Sequence, residues 1–246
     1  MQKVVIVTGA AGVLGGAIAS AFGNAGDKVV ISDINITPKA EELASAINRG
    51  KGEAFVRKTD IRDWEEVDGM VKETVKKWGR LDVIASVGGQ SLGRLSKEGK
   101  DKLLLEHTVE DWDLVMETNL RGNFNCIKAA AGQMIQQKDG QIIIMGSGTA
   151  NKGRVGASSY AAAKSGLYGL MRSAALELGG YNIKVNVVNP GRVMHRPEDK
   201  PEDYIIKENT LGRVSEASEV GDFFVYLSRM KNISGQIFNL DSRIIF

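Results

Sequence analysis

The chain has 246 residues, 43% hydrophobic and 25% charged, values ordinary for a globular protein and enough to bury a sizeable core in one large α/β domain. Lys and Arg outnumber Asp and Glu only 32 to 30, and their scatter along the chain excludes the concentrated basic face of a nucleic-acid-binding protein. The single cysteine, Cys126, excludes an intrachain disulfide, and the two histidines, His107 and His195, lack any metal-ligand spacing, so no metal site is expected.

Taken from the N-terminus, "MQKVVIVTGAAGVLG" passes from an apolar run straight into glycines without a signal-cleavage pattern. No later apolar stretch approaches the roughly 20 residues needed to span a bilayer. A cytoplasmic protein with no membrane partner is expected, and Cys126 reads as a small core residue in a reducing compartment.

Short apolar runs then alternate with longer amphipathic ones. "KVVIVT", "KVVISD", "EAFVRKTD", "LDVIASV", "QIIIMGS", "IKVNVVNP" and "GQIFNL" read as about seven strands. Their near-continuous Val and Ile suit strands covered on both faces, so the pattern predicts a doubly wound (Rossmann) parallel sheet with helices on both faces. Helices are expected over Val13 to Asn24, Pro38 to Asn48, Asp63 to Trp78, Val109 to Gln136, Ser158 to Leu178 and Glu216 to Arg229, with Gly79, Gly140 and Gly179 closing three of them. Composition does not divide the chain, so residues 1–246 are expected to form a single domain.

Two stretches break the rhythm, 90–108 and 192–210. Both follow strands, and open α/β sheets bind ligands beyond the carboxyl ends of their strands, which makes both candidate substrate loops. The first carries Arg94, Lys97, Lys100 and Lys102, bases that would attract an acidic substrate. Glu98, Asp101 and Glu106 offset much of that charge, which favours a solvated loop over an anion site.

Chemistry first enters in "VTGAAGVLGGAIASAF", which places Gly9, Gly12 and Gly15 between a strand and a helix. Glycine lets the backbone approach a pyrophosphate closely, and the helix start offers free N–H groups and a positive dipole end. Asp33 closes the next strand, at the distance from which an acid accepts hydrogen bonds from a ribose. Its charge would repel a 2′-phosphate, and neither Ser32 nor Ile34 supplies a cation for one, so NAD(H) is the expected cofactor rather than NADP.

Further on, Tyr160 and Lys164 stand four residues apart and share a helix face, while Ser147 ends the "QIIIMGS" strand. A carbonyl reduced by hydride needs a proton donor on its oxygen, and the same group removes the alcohol proton in reverse. A phenol with a pKa of about 10 needs roughly 4 kcal/mol to fall by about 3 units. A lysine cation about 4 Å away gives about 1 kcal/mol in water but about 4 kcal/mol at the dielectric of a partly closed site. Ser147 would polarise the carbonyl.

On these residues the chain resembles the short-chain dehydrogenase/reductases of the single-domain kind, close in layout to 3-oxoacyl thioester reductases. The family's Ser and Tyr-x-x-x-Lys pattern falls on Ser147, Tyr160 and Lys164, and its catalytic asparagine on Asn119 in "METNLRGNF". The resemblance implies a catalytic set of Asn119, Ser147, Tyr160 and Lys164, with the asparagine helping to hold a water that links the lysine to a proton relay. It implies cofactor contacts from Gly9, Gly12, Leu14, Gly15, Asp33, Asp60, Ile61, Gly88, Tyr160, Lys164, Pro190, Gly191 and Val193. The reaction it implies interconverts a secondary alcohol and a ketone, with 3-oxoacyl thioesters favoured over polyols, sugars and cyclic alcohols. A dinucleotide-binding sensor without turnover is the alternative of another class.

The chain departs from the family in three places. It writes TGxxGxxG, with Val13 at the usual middle glycine; it has "SVGG", Ser86 to Gly89, where the family has Asn-Asn-Ala-Gly; and Met194 and His195 stand near the usual nicotinamide-contacting threonine. Likeness also implies a homotetramer through the helices at 109–136 and 158–178. The second of these has small and apolar residues over much of its circumference, consistent with burial beyond one face.

Overall fold

The computed structural model describes residues 2–194, 199–200 and 209–243. All seven expected strands form: β1 (Val4–Thr8), β2 (Lys28–Asp33), β3 (Glu53–Lys58), β4 (Val83–Ser86), β5 (Gly140–Met145), β6 (Ile183–Pro190) and β7 (Ile237–Leu240). They make one parallel sheet in the order β3-β2-β1-β4-β5-β6-β7.

Strand periodicity sorts each run onto two faces. On β1, Ile6 points into one core layer, while Val5 and Val7 point into the other; on β5, Ile142 and Ile144 oppose Ile143 and Met145 in the same way. Helices cover both faces. The first layer is closed by α3 (Trp64–Trp78), α6 (Gly122–Gln137) and α8 (Ser158–Leu178), through residues such as Met70, Met134 and Leu167. The second is closed by α1 (Val13–Asn24), α2 (Pro38–Arg49) and α9 (Ala217–Ser228), through Phe22, Ile47 and Phe224. Each fully buried side chain of this kind contributes roughly 1.5–3 kcal/mol to the hydrophobic term.

Local signals explain the helix limits. Thr37 caps α2 with Pro38 in its first turn, Asp63 caps α3 by accepting from the Glu66 N–H at 3.1 Å, and Gly79 ends α3 at φ +79°. Gly140 does not close a helix as expected. Lys138 takes the left-handed turn at φ 54°, and Gly140 opens β5, where a Cβ would stand 2.3 Å from Met134 Sδ. Gly179 leads into a short 3-10 turn, Gly179–Tyr181, before Asn182 turns the chain into β6.

The expected helix over Val109 to Gln136 is three segments. An α5 helix (Val109–Met116) passes into a π-helical turn at Glu117–Arg121 and then into α6. Such a turn inserts one residue and re-aims the side chains within it. Here it carries Asn119, fully buried.

Nor is the stretch at 90–108 a plain solvated loop. It contains a single helical turn, α4 (Leu92–Leu95), a 3-10 turn at Leu104–Glu106, and an Asp101 carboxylate bonded to the turn that precedes α8. A further single turn, α7 (Thr149–Lys152), follows β5. Of the second candidate loop only 192–194, 199–200 and 209–210 are described; His195 lies outside the described residues.

Candidate active site

Because the strand order reverses between β1 and β4, the helices that follow these strands leave on opposite faces and a crevice opens beyond their carboxyl ends. Thr8 and Ser86 are register partners at that edge. Thr8 Oγ1 accepts from the Val87 and Gly88 N–H groups at 3.0 and 3.2 Å, so the start of the "SVGG" turn is pinned to β1.

The glycine turn fits a pyrophosphate. Gly9 adopts φ +66°, a conformation in which L side chains are strained, and a Cβ there would stand 3.1 Å from Gly88 Cα. At Gly15 a Cβ would lie 2.2 Å from the Gly9 carbonyl oxygen. Gly12 is the extended residue that precedes α1, with its N–H turned back to the Gly9 carbonyl at 3.2 Å. Val13, at the family's usual middle glycine, is simply the first residue of α1, and Leu14 packs on the second core layer. The altered spacing keeps a tight turn and moves no bulky side chain into it.

Asp33 stands at the end of β2 beside this turn. Its Oδ2 accepts from the Ala11 N–H at 3.0 Å and its Oδ1 from the Asn35 N–H at 3.2 Å. The acid that would meet a ribose therefore also holds the phosphate turn in place. Asp60 is gripped by Arg62 Nε and Nη2 at 3.0 and 2.6 Å, and this guanidinium holds the carboxyl below its usual range against the opposing effect of burial. Ile61 is buried, filling the space in front of Gly88 and Gly122. Pro190 ends β6, Gly191 packs where a Cβ would collide with Ser215 Oγ, and Val193 is buried behind them.

The four residues singled out for chemistry come together at the ends of β4 and β5. Lys164 is 1% exposed, and its Nζ donates to the Met145 carbonyl at 2.9 Å and lies 5.7 Å from the centre of the Tyr160 ring. Asn119 Nδ2 donates to the carbonyls of Gln90 and Val115 at 2.8 and 3.0 Å, while its Oδ1 is buried without a hydrogen-bond partner among the described residues. That oxygen and Lys164 Nζ lie 2.5 and 3.3 Å from where a Cβ on Gly89 would stand. Ser147, two residues past β5, reaches the Tyr160 phenol as a hydrogen-bond partner.

The ionisation of this pair differs from the expectation that the lysine pulls the phenol down. Burial pushes the Tyr160 phenol above its ordinary value, against the Ser147 hydrogen bond and the positive charges of Arg154 and Arg94. Burial also lowers Lys164, to about 8. Both charged forms are costly in this setting, and desolvation is the largest cause for each.

Two supporting residues, Asn123 and Tyr168, escaped the sequence reading. Asn123 accepts from Ser86 Oγ at 2.7 Å and donates to the carbonyls of Gly88 and Asn119 at 3.2 and 2.7 Å. It supplies from α6 an amide that "SVGG" lacks. Tyr168 donates through its hydroxyl to the Ser147 carbonyl at 3.2 Å and accepts from Asn189 Nδ2 at 2.8 Å, which ties the Ser147 turn to β6. One signal was available: Tyr168 falls eight residues after Tyr160, near the same helix face. Cys126 is buried in the first core layer and its thiol is pushed up to about 12, as suits an inert core residue. Among the described residues no group of His, Cys, Asp or Glu is arranged to hold a metal, and no helix is long and apolar enough to cross a membrane.

Comparison with known proteins agrees with this geometry. The family model for short chain dehydrogenases matches residues 3–200. A 3-oxoacyl-(acyl-carrier-protein) reductase FabG of Staphylococcus aureus is 32% identical over 247 residues, covering 98% of this chain and 97% of its own. A 3-oxoacyl-(acyl-carrier-protein) reductase of Synechocystis sp. is likewise 32% identical, with 99% and 97% covered. Among solved structures, a protein described as a short-chain alcohol dehydrogenase from Sinorhizobium meliloti 1021 superposes with a TM-score of 0.88 at 26% identity, covering 98% of this chain and 96% of that one. With the sheet order, the glycine turn and the Tyr160/Lys164 pair in place, the chain belongs to the short chain dehydrogenase family, oxidoreductases that act on CH–OH and carbonyl groups.

Proposed function

We propose that this protein is an NAD(H)-dependent reductase that interconverts a secondary alcohol and a ketone, with Tyr160 as the general acid and base. The substrate class we assign is a 3-oxoacyl thioester, following the names of its relatives. The observation that carries the reading is the convergence of Tyr160, Lys164, Ser147 and Asn119 beside a glycine turn in which Gly9 and Gly15 leave no room for a Cβ without strain or collision.

Gly9, Gly12, Leu14 and Gly15 would take the pyrophosphate, Asp33 the adenosine ribose, and Asp60, Ile61 and Gly88 the adenine side. Pro190, Gly191 and Val193 would border the nicotinamide, and Tyr160 and Lys164 the second ribose. When bound, NADH supplies the hydride. The fixed charge of Asp33, held by two backbone N–H groups, favours NAD over NADP because it leaves no place for a 2′-phosphate.

The remaining work falls to this chain's own groups. Ser147 donates a hydrogen bond to the substrate oxygen and so aligns it with the phenol. The raised phenol is protonated at neutral pH, which suits it to give the proton from Oη to that oxygen. Lys164, brought to about 8, binds and releases a proton close to neutrality and so can restore the phenol. Asn119 is a positioning residue: its amide ties the Gln90 backbone to the π-helical turn and presents its free Oδ1 toward the lysine. A single domain, a cytoplasmic setting and a homotetramer complete the proposal.

Titration with NADH, followed by turnover of acetoacetyl-coenzyme A and a panel of ketones, tests it. NADH oxidation with a thioester supports the reading; tight NADH binding with no oxidation of any member points instead to a dinucleotide sensor.

A further inference from the structure

The insertion after β4 is fastened to the turn that leads into the Tyr160 helix. Both oxygens of Asp101 are committed: Oδ1 accepts from the Gly93 N–H at 2.8 Å and Oδ2 from Arg154 Nη2 at 2.6 Å. A Cβ on Gly156 would lie 3.3 Å from Asp101 Cβ, so loop and turn touch four residues before Tyr160. Arg154 is therefore oriented by Asp101 and not consumed by it. Its side chain is 50% exposed, and a guanidinium has five N–H donors for such a fork.

Arg94 follows Gly93 directly and has no ion-pair partner among the described residues. Lys102, by contrast, is taken up by Glu98 and Asp111 at 3.2 and 2.9 Å. Both guanidinium charges reach the Tyr160 phenol and favour its ionised form, while Asp101 opposes it. The two guanidiniums thus add positive charge on the Tyr160 side of the insertion, and Asp101 offsets part of it.

We propose that Arg154, with Arg94 beside it, grips an oxyanion of the substrate, so that the carbonyl compound this enzyme takes is an anion. The inference rests on the redox reading above and narrows it. A planar guanidinium fork held in place by a neighbouring carboxylate is the arrangement that binds carboxylate or phosphate oxygens in pairs, and a mobile solvated base is not. The oxyanion is either a carboxylate near the carbonyl or the phosphates of a coenzyme A arm.

Acetoacetate, acetoacetyl-coenzyme A and the neutral methyl acetoacetate separate these sources. The reading is the ratio of kcat/KM for each charged compound to that for the ester, because the charge of Arg154 also acts on the phenol whatever the substrate. Arg154→Gln is expected to lower that ratio at least about tenfold for one of the two charged compounds, Arg94→Gln to lower it less, and Arg154→Lys to keep part of it. Which compound loses its advantage identifies the oxyanion. Calorimetric titration of the NADH-bound protein with the same three compounds gives a readout free of turnover. Failure of all three to react counts against the redox reading, whereas charged and neutral compounds that bind equally, with no dependence on Arg154, overturn this one.

Discussion

The ammonium of Lys164 lies 5.7 Å from the centre of the Tyr160 ring, and its hydrogen bond is to the Met145 backbone carbonyl, not to the phenol. This places a nearly dry cation under the helix that carries the proton donor, at a cost to folding. With its folded value lowered to about 8 against an ordinary 10.5, the lysine is bound less readily by protons in the folded chain than in the unfolded one. Stability therefore rises with pH between these two values, and below about 8 the full penalty applies, on the order of 3 kcal/mol. Lys164→Met is predicted to be inactive yet more stable than the parent at pH 7, by about 1–3 kcal/mol. The gain should shrink as pH rises toward 10, which thermal melts across that range will check.

Asn123 is a second point where the site depends on a buried polar group. Its side chain closes three hydrogen bonds between β4, the Gly88 turn and the π-helical turn. Asn123→Ala strands the Ser86 hydroxyl and two carbonyls, and is predicted to destabilise the fold by about 2–4 kcal/mol in urea unfolding. Asn123→Asp, which keeps the acceptor and loses the donor, should lower kcat more than it raises KM for the ketone, because it loosens Asn119 and not the substrate.

Cofactor choice should turn on Asp33. Asp33→Ser removes the charge that opposes a 2′-phosphate and also frees the Ala11 N–H. The ratio of kcat/KM for NADPH over NADH is predicted to rise about tenfold or more, with some loss for both because the glycine turn is less well held. Steady-state rates with the two cofactors give this directly.

The proposed tetramer has a face to test. Phe124 is 45% exposed and borders a groove with Leu120, Met116 and Leu170, from the π-helical turn, α5 and α8. Phe124→Glu places a charge where a second copy would bury an aromatic ring, so the variant is predicted to sediment as a smaller species than the parent.

Much of this architecture was legible because strands buried on two sides leave a plain mark. The runs at Val4–Thr8 and Gly140–Met145 are buried at every position, and each places alternate apolar residues in opposite core layers. Likewise the glycine turn and the Tyr160/Lys164 spacing are short-range patterns whose meaning survives without tertiary knowledge. What was hidden depends on contacts distant in sequence. No periodicity distinguishes a π-helical turn at Glu117–Arg121 from the helix around it, since its apolar face continues through both. The order in 90–108 comes from Asp101 meeting Arg154, 53 residues away. The direction of the Tyr160 shift lay out of reach for the same reason: spacing reveals that a lysine is near, but only packing reveals that desolvation dominates both groups.

The central claim is that the Tyr160 phenol gives the proton. Tyr160→Phe removes that proton and leaves the ring, the Lys164 site and the glycine turn in place. Single-turnover oxidation of bound NADH by the best ketone substrate should slow by about 10²–10⁴-fold in this variant, with the NADH dissociation constant changed by less than about threefold. A Phe variant that binds NADH normally and still turns over at a rate close to that of the parent would contradict the account.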